Sequence, residues 1–255
     1  MRTLVVRCAD WPVVAAGVPL DEPVAVFHAN RVVASSPAAR AQDIALHQRR
    51  REAQARCPSL VVLDHDPARD ARVFEPVVAV LDALTPRVEI VRPGLVAFPT
   101  RGPSRFFGGD QALAESAFAV ISHALVGSHD SGGLASAPNR HRIGADASVD
   151  GGAAGQAQVQ VGIADGVFAA ALAAETARPV RVVPPGGTPG FLAPLPMATL
   201  DRPELVDVLG RLGLRTLVAL AALPERDVLA RFGSDGLAAW RLAGGLDERP
   251  PALAP

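Results

Sequence analysis

Few residues in this chain stand together in a way that could do chemistry. His65 lies between Asp64 and Asp66, an imidazole flanked by two carboxylates. The donor types suit a metal, but no second ligand cluster accompanies them, and a loop turn accounts for the trio. Ser128, His129 and Asp130 have the residue types of a nucleophilic triad. Contiguous residues do not make one, because the groups of a triad must meet side chain to side chain. The two cysteines, Cys8 and Cys57, cannot build a disulfide framework or a four-ligand zinc site, and each reads as a free, half-buried thiol. The glycine pairs at 132–133 and 151–152 lack the Gly-x-x-x-x-Gly-Lys spacing of a phosphate loop, and the chain has no lysine. What remains is a helix–Gly–x–x–Gly–helix turn at 209–216. Its glycines permit a tight turn, and N–H groups at the second helix's start can then hold a phosphate. The contact residues would be Gly210, Arg211, Gly213, Arg215 and Thr216. The alternative is a plain turn between two helices with solvated arginines. Arg49, Arg50 and Arg51, with Arg56, form the densest basic cluster, but consecutive residues fan around a helix, which favours a solvated face.

The elements that must position these residues are bounded by composition. The 255 residues are 49% hydrophobic and 20% charged, enough to fill a core and to exclude wholesale disorder. One or two packed units are expected. No window approaches 18 consecutive apolar residues, so no membrane-spanning helix is expected. The opening residues lack the apolar stretch and cleavage site of a secretory signal, which points to the cytoplasm. All 25 basic residues are arginine and the net charge is −1. Codon bias in a GC-rich genome accounts for that as well as function does. Residues 1–100 hold 12 arginines against 11 acids, not the basic excess of a nonspecific nucleic-acid binder.

Apolar runs at 4–8, 23–29, 31–34 and 59–63 predict strands, with a hairpin around Asn30. Ser36-Pro37 opens one or two helices over 38–56, and Asp66-Pro67 a helix to about Leu84. Strands at 87–92 and 95–98 are joined by Pro93-Gly94. Asp110 caps a helix to about Leu125, and 127–156 reads as a long flexible loop. Strand 158–163, helix 165–176 and strand 179–183 complete a split βαβ arrangement on one antiparallel sheet, an α+β fold. After a linker at 184–189 the chain is helical: 203–209, 216–223, 224–232 and 236–243.

Several strings, in order along almost the whole chain, resemble a Y-family DNA polymerase of the translesion class. Ser36-Pro37-Ala38-Ala39-Arg40 resembles the fingers motif written Ser-Tyr-Glu-Ala-Arg, and Arg56-Cys57-Pro58 the close of that region. Phe107-Gly108-Gly109-Asp110 and Val161-Gly162-Ile163-Ala164 resemble the palm. Phe191-Leu192-Ala193-Pro194-Leu195-Pro196, residues 209–223 and Gly245-Leu246-Asp247-Glu248-Arg249-Pro250 resemble the thumb. The resemblance implies a palm over 1–186 with fingers inserted at about 20–80, then a helix-hairpin-helix thumb over 190–255. It also lifts the DNA-binding reading of the 209–216 turn.

The family's chemistry uses two Mg²⁺ ions on oxygen ligands. The resemblance puts the three ligand carboxylates at Arg7, Gly94 and Leu95, none of which is acidic. The fingers tyrosine falls at Pro37 and the family's lysines near Val167 and Ala171. Arg40 alone survives among the triphosphate contacts. An arginine beside the site would also repel Mg²⁺. The expectation is therefore no polymerase activity, no metal and no cofactor. Cys8-Ala9-Asp10-Trp11-Pro12 is similar to the start of ImuB-type proteins, inactive Y-family paralogues. The resemblance implies an adaptor linking a catalytic polymerase, an accessory protein and the sliding clamp on primer–template DNA. The sequence ends at Pro255, just past the thumb strings, so the family's little finger, clamp-binding peptide and partner-binding tail have no counterpart in it. Two other readings stand beside this one: a divergent polymerase using Asp10 and Glu89 as ligands, and a degraded remnant without function.

Overall fold

The computed structural model describes residues 1–130 and 158–247. Most of the expected 127–156 loop lies outside them. The chain runs β1 (Arg2–Cys8), α1 (Trp11–Ala15), β2 (Val24–His28), β3 (Arg31–Ser35), α2 (Pro37–Arg40), α3 (Arg50–Arg56), β4 (Val61–Asp64), α4 (Pro67–Ala79), β5 (Glu89–Arg92), β6 (Leu95–Pro99), α5 (Pro103–Phe107) and α6 (Asp110–Asp130). Then follow β7 (Val159–Asp165), α7 (Val167–Glu175), β8 (Val180–Val182), α8 (Thr188–Leu192), α9 (Pro203–Arg211), α10 (Leu217–Ala221) and α11 (Glu225–Ala243).

The strand β1 carries an unbroken apolar run because both of its faces are covered. Leu4, Val6 and Cys8 point into a core with Ile121 of α6 and Phe74 of α4. Val5 points the other way, toward α7 and the C-terminal helices. This period of two is the geometry of a pleated strand. The sheet order is β5-β6-β1-β7-β8. The expected α+β fold holds, with one refinement: β7 and β8 run parallel, because α7 carries the chain back over the sheet between them.

A second sheet, ordered β3-β2-β4, stands apart with its own small cores. The hairpin at Asn30 forms as expected. The helical segment expected over 38–56 forms as two helices, α2 and α3, with 41–49 between them. The N–H groups of 42–44 bond back to α2, and 47–50 run along the edge of β3, where the Val32 carbonyl accepts from His47 N–H and Val32 N–H donates to the Gln48 carbonyl. Asp43 and His47 take left-handed backbone angles to make that path. α4, within the span expected for the insertion, packs on the five-stranded sheet through Phe74 and Val77. The five-residue α5 was not anticipated, and α6 runs on to Asp130. Within α11 the backbone leaves the helical region at Gly233 (φ 65°, ψ −159°), so two helices meet there, as the sequence predicts.

Candidate functional site

Pairing register assembles the site. Arg92 of β5, Leu95 of β6, Arg7 of β1 and Gln160 of β7 are cross-strand neighbours in one row, so their side chains share a face. That row opens on a cleft of about 240 Å³, lined also by Phe168 and Glu175 of α7 and by Asp201. Arg7 donates through Nη1 to Gln160 Oε1. Gln160 is buried, and its Nε2 donates to the carbonyls of Glu175 and Ala177, so the amide holds the guanidinium in place. Burial first, and then the charge of Arg7, pull the Arg92 pKa below its ordinary value, while Glu175 and Asp201 oppose. It remains charged at any physiological pH. Two guanidinium groups thus stand in the row, and a divalent cation needs several oxygen ligands there. Among the described residues no group of three or more His, Cys, Asp or Glu side chains could hold a metal.

Gly94 has no room for a side chain. Its backbone is left-handed (φ +84°), and a Cβ on it would lie 2.5 Å from Trp11 Cβ and 3.1 Å from the Cys8 carbonyl oxygen. Gly94 O accepts from Cys8 N–H at 2.8 Å, which clamps the turn down. Trp11 is buried, stands edge-on to Phe74 at 4.9 Å and donates from Nε1 to the Asp70 carbonyl. Trp11→Ala is expected to cost about 3–5 kcal/mol in a denaturant titration, the usual range for a buried aromatic.

Both cysteines prove fully buried rather than half-buried. Cys8 lies inside the apolar face of β1. Burial, opposed by the Arg7 charge, pushes its thiol up to about 12. A group whose folded pKa is raised stabilises the fold below its unfolded pKa. That contribution is lost as pH rises toward the folded value. Stability should therefore fall between about pH 9 and 12 with a slope of about 1.4 kcal/mol per unit. Cys8→Ser, measured by chemical denaturation across that range, should flatten the slope. At pH 8 the native thiol should resist alkylation that proceeds readily in denaturant.

Asp10 and Glu89, the ligands of a divergent polymerase, are not brought together in the cleft, and neither lines it. Both Asp10 oxygens accept from Arg40. Glu89 is buried on β5, opposite Ala97. His65 approaches Asp70 at 3.4 Å and stacks edge-on with His28, a packing role. Ser128, His129 and Asp130 end α6, and their side chains lie outside the described residues.

The 209–216 turn is real, and Gly213 takes the left-handed angle it needs (φ +82°). Gly210, however, is within α9. The α10 N–H groups expected to face outward do not. Leu217 and Val218 donate to the carbonyls of Leu195 and Ala193, because the Phe191–Pro196 string docks there. The N–H groups of Arg215 and Thr216 have no acceptor among the described residues. Arg211 pairs with Asp207 one turn back, an exposed pair of little energetic weight.

The other strings mark backbone constraints. Gly108 (φ +87°) and Gly109 (φ +132°) turn the chain from α5 into α6. Asp110 then accepts from Arg2 Nε and from Ser104 Oγ. Asp247 accepts from Phe168 N–H at 2.9 Å and so caps α7 from the far end of the chain. Spacing in the sequence did not point to Arg92 and Gln160; only the strand register brings them beside Arg7.

The model of the impB/mucB/samB family matches residues 19–175, more than half of the chain. The chain belongs to that family. DNA polymerase IV of Pseudomonas aeruginosa is 36% identical over 96 residues, 36% of this chain and 28% of that polymerase. DNA polymerase IV of Pseudomonas entomophila is 38% identical over 95 residues, 36% of this chain and 27% of that one. The matched segment thus spans under a third of each curated polymerase. Among solved structures, a ternary complex of Dbh superimposes with a TM-score of 0.68 at 14% identity, over 98% of this chain and 69% of that chain. DinB from Sulfolobus solfataricus gives 0.65 at 14%, with the same coverage. That likeness shows the fold, a Y-family palm and fingers. In the impB/mucB/samB chain described here, the five-stranded sheet lies in the span the sequence resemblance gives to the palm and the three-stranded sheet in the span it gives to the inserted fingers. No helix among the described residues is long and apolar enough to cross a membrane.

Proposed function

We propose that this protein is a noncatalytic Y-family member, an ImuB-type adaptor that binds primer–template DNA during damage-induced, error-prone synthesis. A separate catalytic polymerase, an accessory protein and the sliding clamp are its proposed partners, with the cytoplasm as the compartment. The observation that carries the reading is the Arg92-Leu95-Arg7-Gln160 row, with Gly94 pressed against Trp11. Removing one preorganised electrostatic contact from an active site typically costs about 10²–10³ in rate. Here three ligand positions carry arginine, glycine and leucine, and phosphoryl transfer rests on metal electrostatics. Primer-extension assays with Mg²⁺ or Mn²⁺ should show no incorporation above background, and robust incorporation would sink the proposal.

DNA binding is proposed to use the 209–216 turn. Arg215, with the N–H groups of Arg215 and Thr216, faces the backbone phosphates, and Arg211 adds charge. Arg211→Ala and Arg215→Ala should weaken binding evenly across sequences. Each should reduce the slope of log K against log salt by about 1. Salt-insensitive or absent binding by the unaltered chain would favour the degraded-remnant reading instead.

A further inference from the structure

Asp10 is a non-glycine residue in the left-handed region (φ 56°, ψ 28°) at the start of α1, yet its side chain caps no N–H of that helix. An aspartate there ordinarily accepts from the first turn of its own helix. Instead its carboxylate is turned outward to the fingers. Oδ1 accepts from Arg40 Nη1 at 2.7 Å and Oδ2 from Arg40 Nη2 at 2.9 Å. Arg40 Nη1 also donates to the Ser35 carbonyl at the end of β3. The Asp10 side chain is 12% exposed and that of Arg40 48%, so the carboxylate end of the pair is sheltered while the guanidinium is half open to solvent.

The partners belong to different bodies. Asp10 follows β1 of the palm sheet, and Arg40 ends α2 on the fingers sheet. The helix between them divides its side chains the same way. Trp11 and Ala15 enter the palm core, and Val13 enters a fingers core with Val24 and Val26. Strained backbone persists where the surroundings over-determine it, and it points to a role for the residue that bears it. We propose that Asp10 and Arg40 form a latch that fixes the fingers sheet to the palm sheet, and that this is the role of the aspartate in Cys8-Ala9-Asp10-Trp11-Pro12. The pair holds the two sheets as one rigid body. It also engages both Nη groups of Arg40 with an internal carboxylate, which leaves that guanidinium closed to an outside anion. The proposal rests on this geometry and stands whether or not the protein is catalytic.

The test is a double-variant cycle in the full chain, read by hydrogen exchange. Asp10→Asn and Arg40→Gln should each speed exchange of the β2 and β3 amides at least tenfold while leaving the β1 and β7 amides unchanged. The double variant should be no faster than the faster single one, the mark of a shared contact. Fingers exchange within twofold of the unaltered chain, or a double effect equal to the product of the single ones, would overturn the latch. Should a neutral variant fail to fold, Arg40→Lys serves, since it keeps the charge and loses the two-pronged geometry. It should speed fingers exchange at least threefold, and unaltered rates would overturn the latch equally.

Discussion

Gly162→Ala is expected to be among the most destabilising single substitutions in this protein. Gly162 lies on β7 beneath α7, and a methyl group there would sit 2.2 Å from Ala174 N, 2.4 Å from Ala170 O and 2.8 Å from Ala173 C. All three are backbone atoms, so no rotamer change makes room. The helix can come this close because Ala169, Ala170, Ala173 and Ala174 line its buried side. To accept the methyl, α7 must lift off the sheet. It would take with it the Asp247 cap and the cleft residues Phe168 and Glu175. Overpacking a core usually costs about 1–3 kcal/mol, and backbone against backbone belongs at or above the top of that range. A loss of about 3 kcal/mol or more is expected against a total of about 5–15 kcal/mol for a typical domain. Urea titration followed by circular dichroism would measure it. Gly190→Ala, where a Cβ meets nothing within 4 Å, is the control and should stay within about 0.5 kcal/mol. A Gly162→Ala loss under about 1 kcal/mol would refute the close-approach argument.

That glycine was visible in the sequence only as part of a string, and its physical reason appears in the fold. The same holds for Gly108-Gly109 as a left-handed turn and for Asp247 as a cap. Strands were legible where local chemistry determines them: the apolar run of β1, the hairpin at Asn30, and Pro93-Gly94 between β5 and β6. What escaped depends on partners remote in sequence. The break between α2 and α3 was not located, because the free edge of β3 draws His47 and Gln48 into a short ladder that no local pattern announces. The separate fingers sheet needs β2 to pair in parallel with β4, more than thirty residues on. In the site, Arg7, Gly94 and Leu95 were located by resemblance, whereas Arg92 and Gln160 join them only through strand register. The 209–216 turn was legible as a turn. The fate of its N–H groups was not, since the carbonyls that take them come from the segment before α9.

Placing carboxylates at the three proposed ligand positions, 7, 94 and 95, is expected not to yield a polymerase. Arg7→Asp changes a half-buried side chain on the cleft, whereas Leu95→Glu puts a carboxylate at a buried core position and carries a cost of its own. Gly94→Asp is different. It combines a left-handed backbone with a Cβ 2.5 Å from Trp11 Cβ and 3.1 Å from the Cys8 carbonyl. Strain in that backbone region costs about 1–3 kcal/mol and the overlap about as much again, so a loss of about 2–5 kcal/mol is expected in denaturant titration. Trimming the tryptophan does not help. The colliding atom is its Cβ, which Trp11→Ala retains, and the Cys8 carbonyl is main chain. The triple variant should therefore extend no primer with Mg²⁺ or Mn²⁺, and a double variant lacking the Gly94 change should be inactive as well. Mg²⁺-dependent extension by the triple variant would contradict this. What opposes an acidic side chain at position 94 is the path of the main chain from Cys8 to Trp11, which packs directly against the turn and leaves no room for a Cβ.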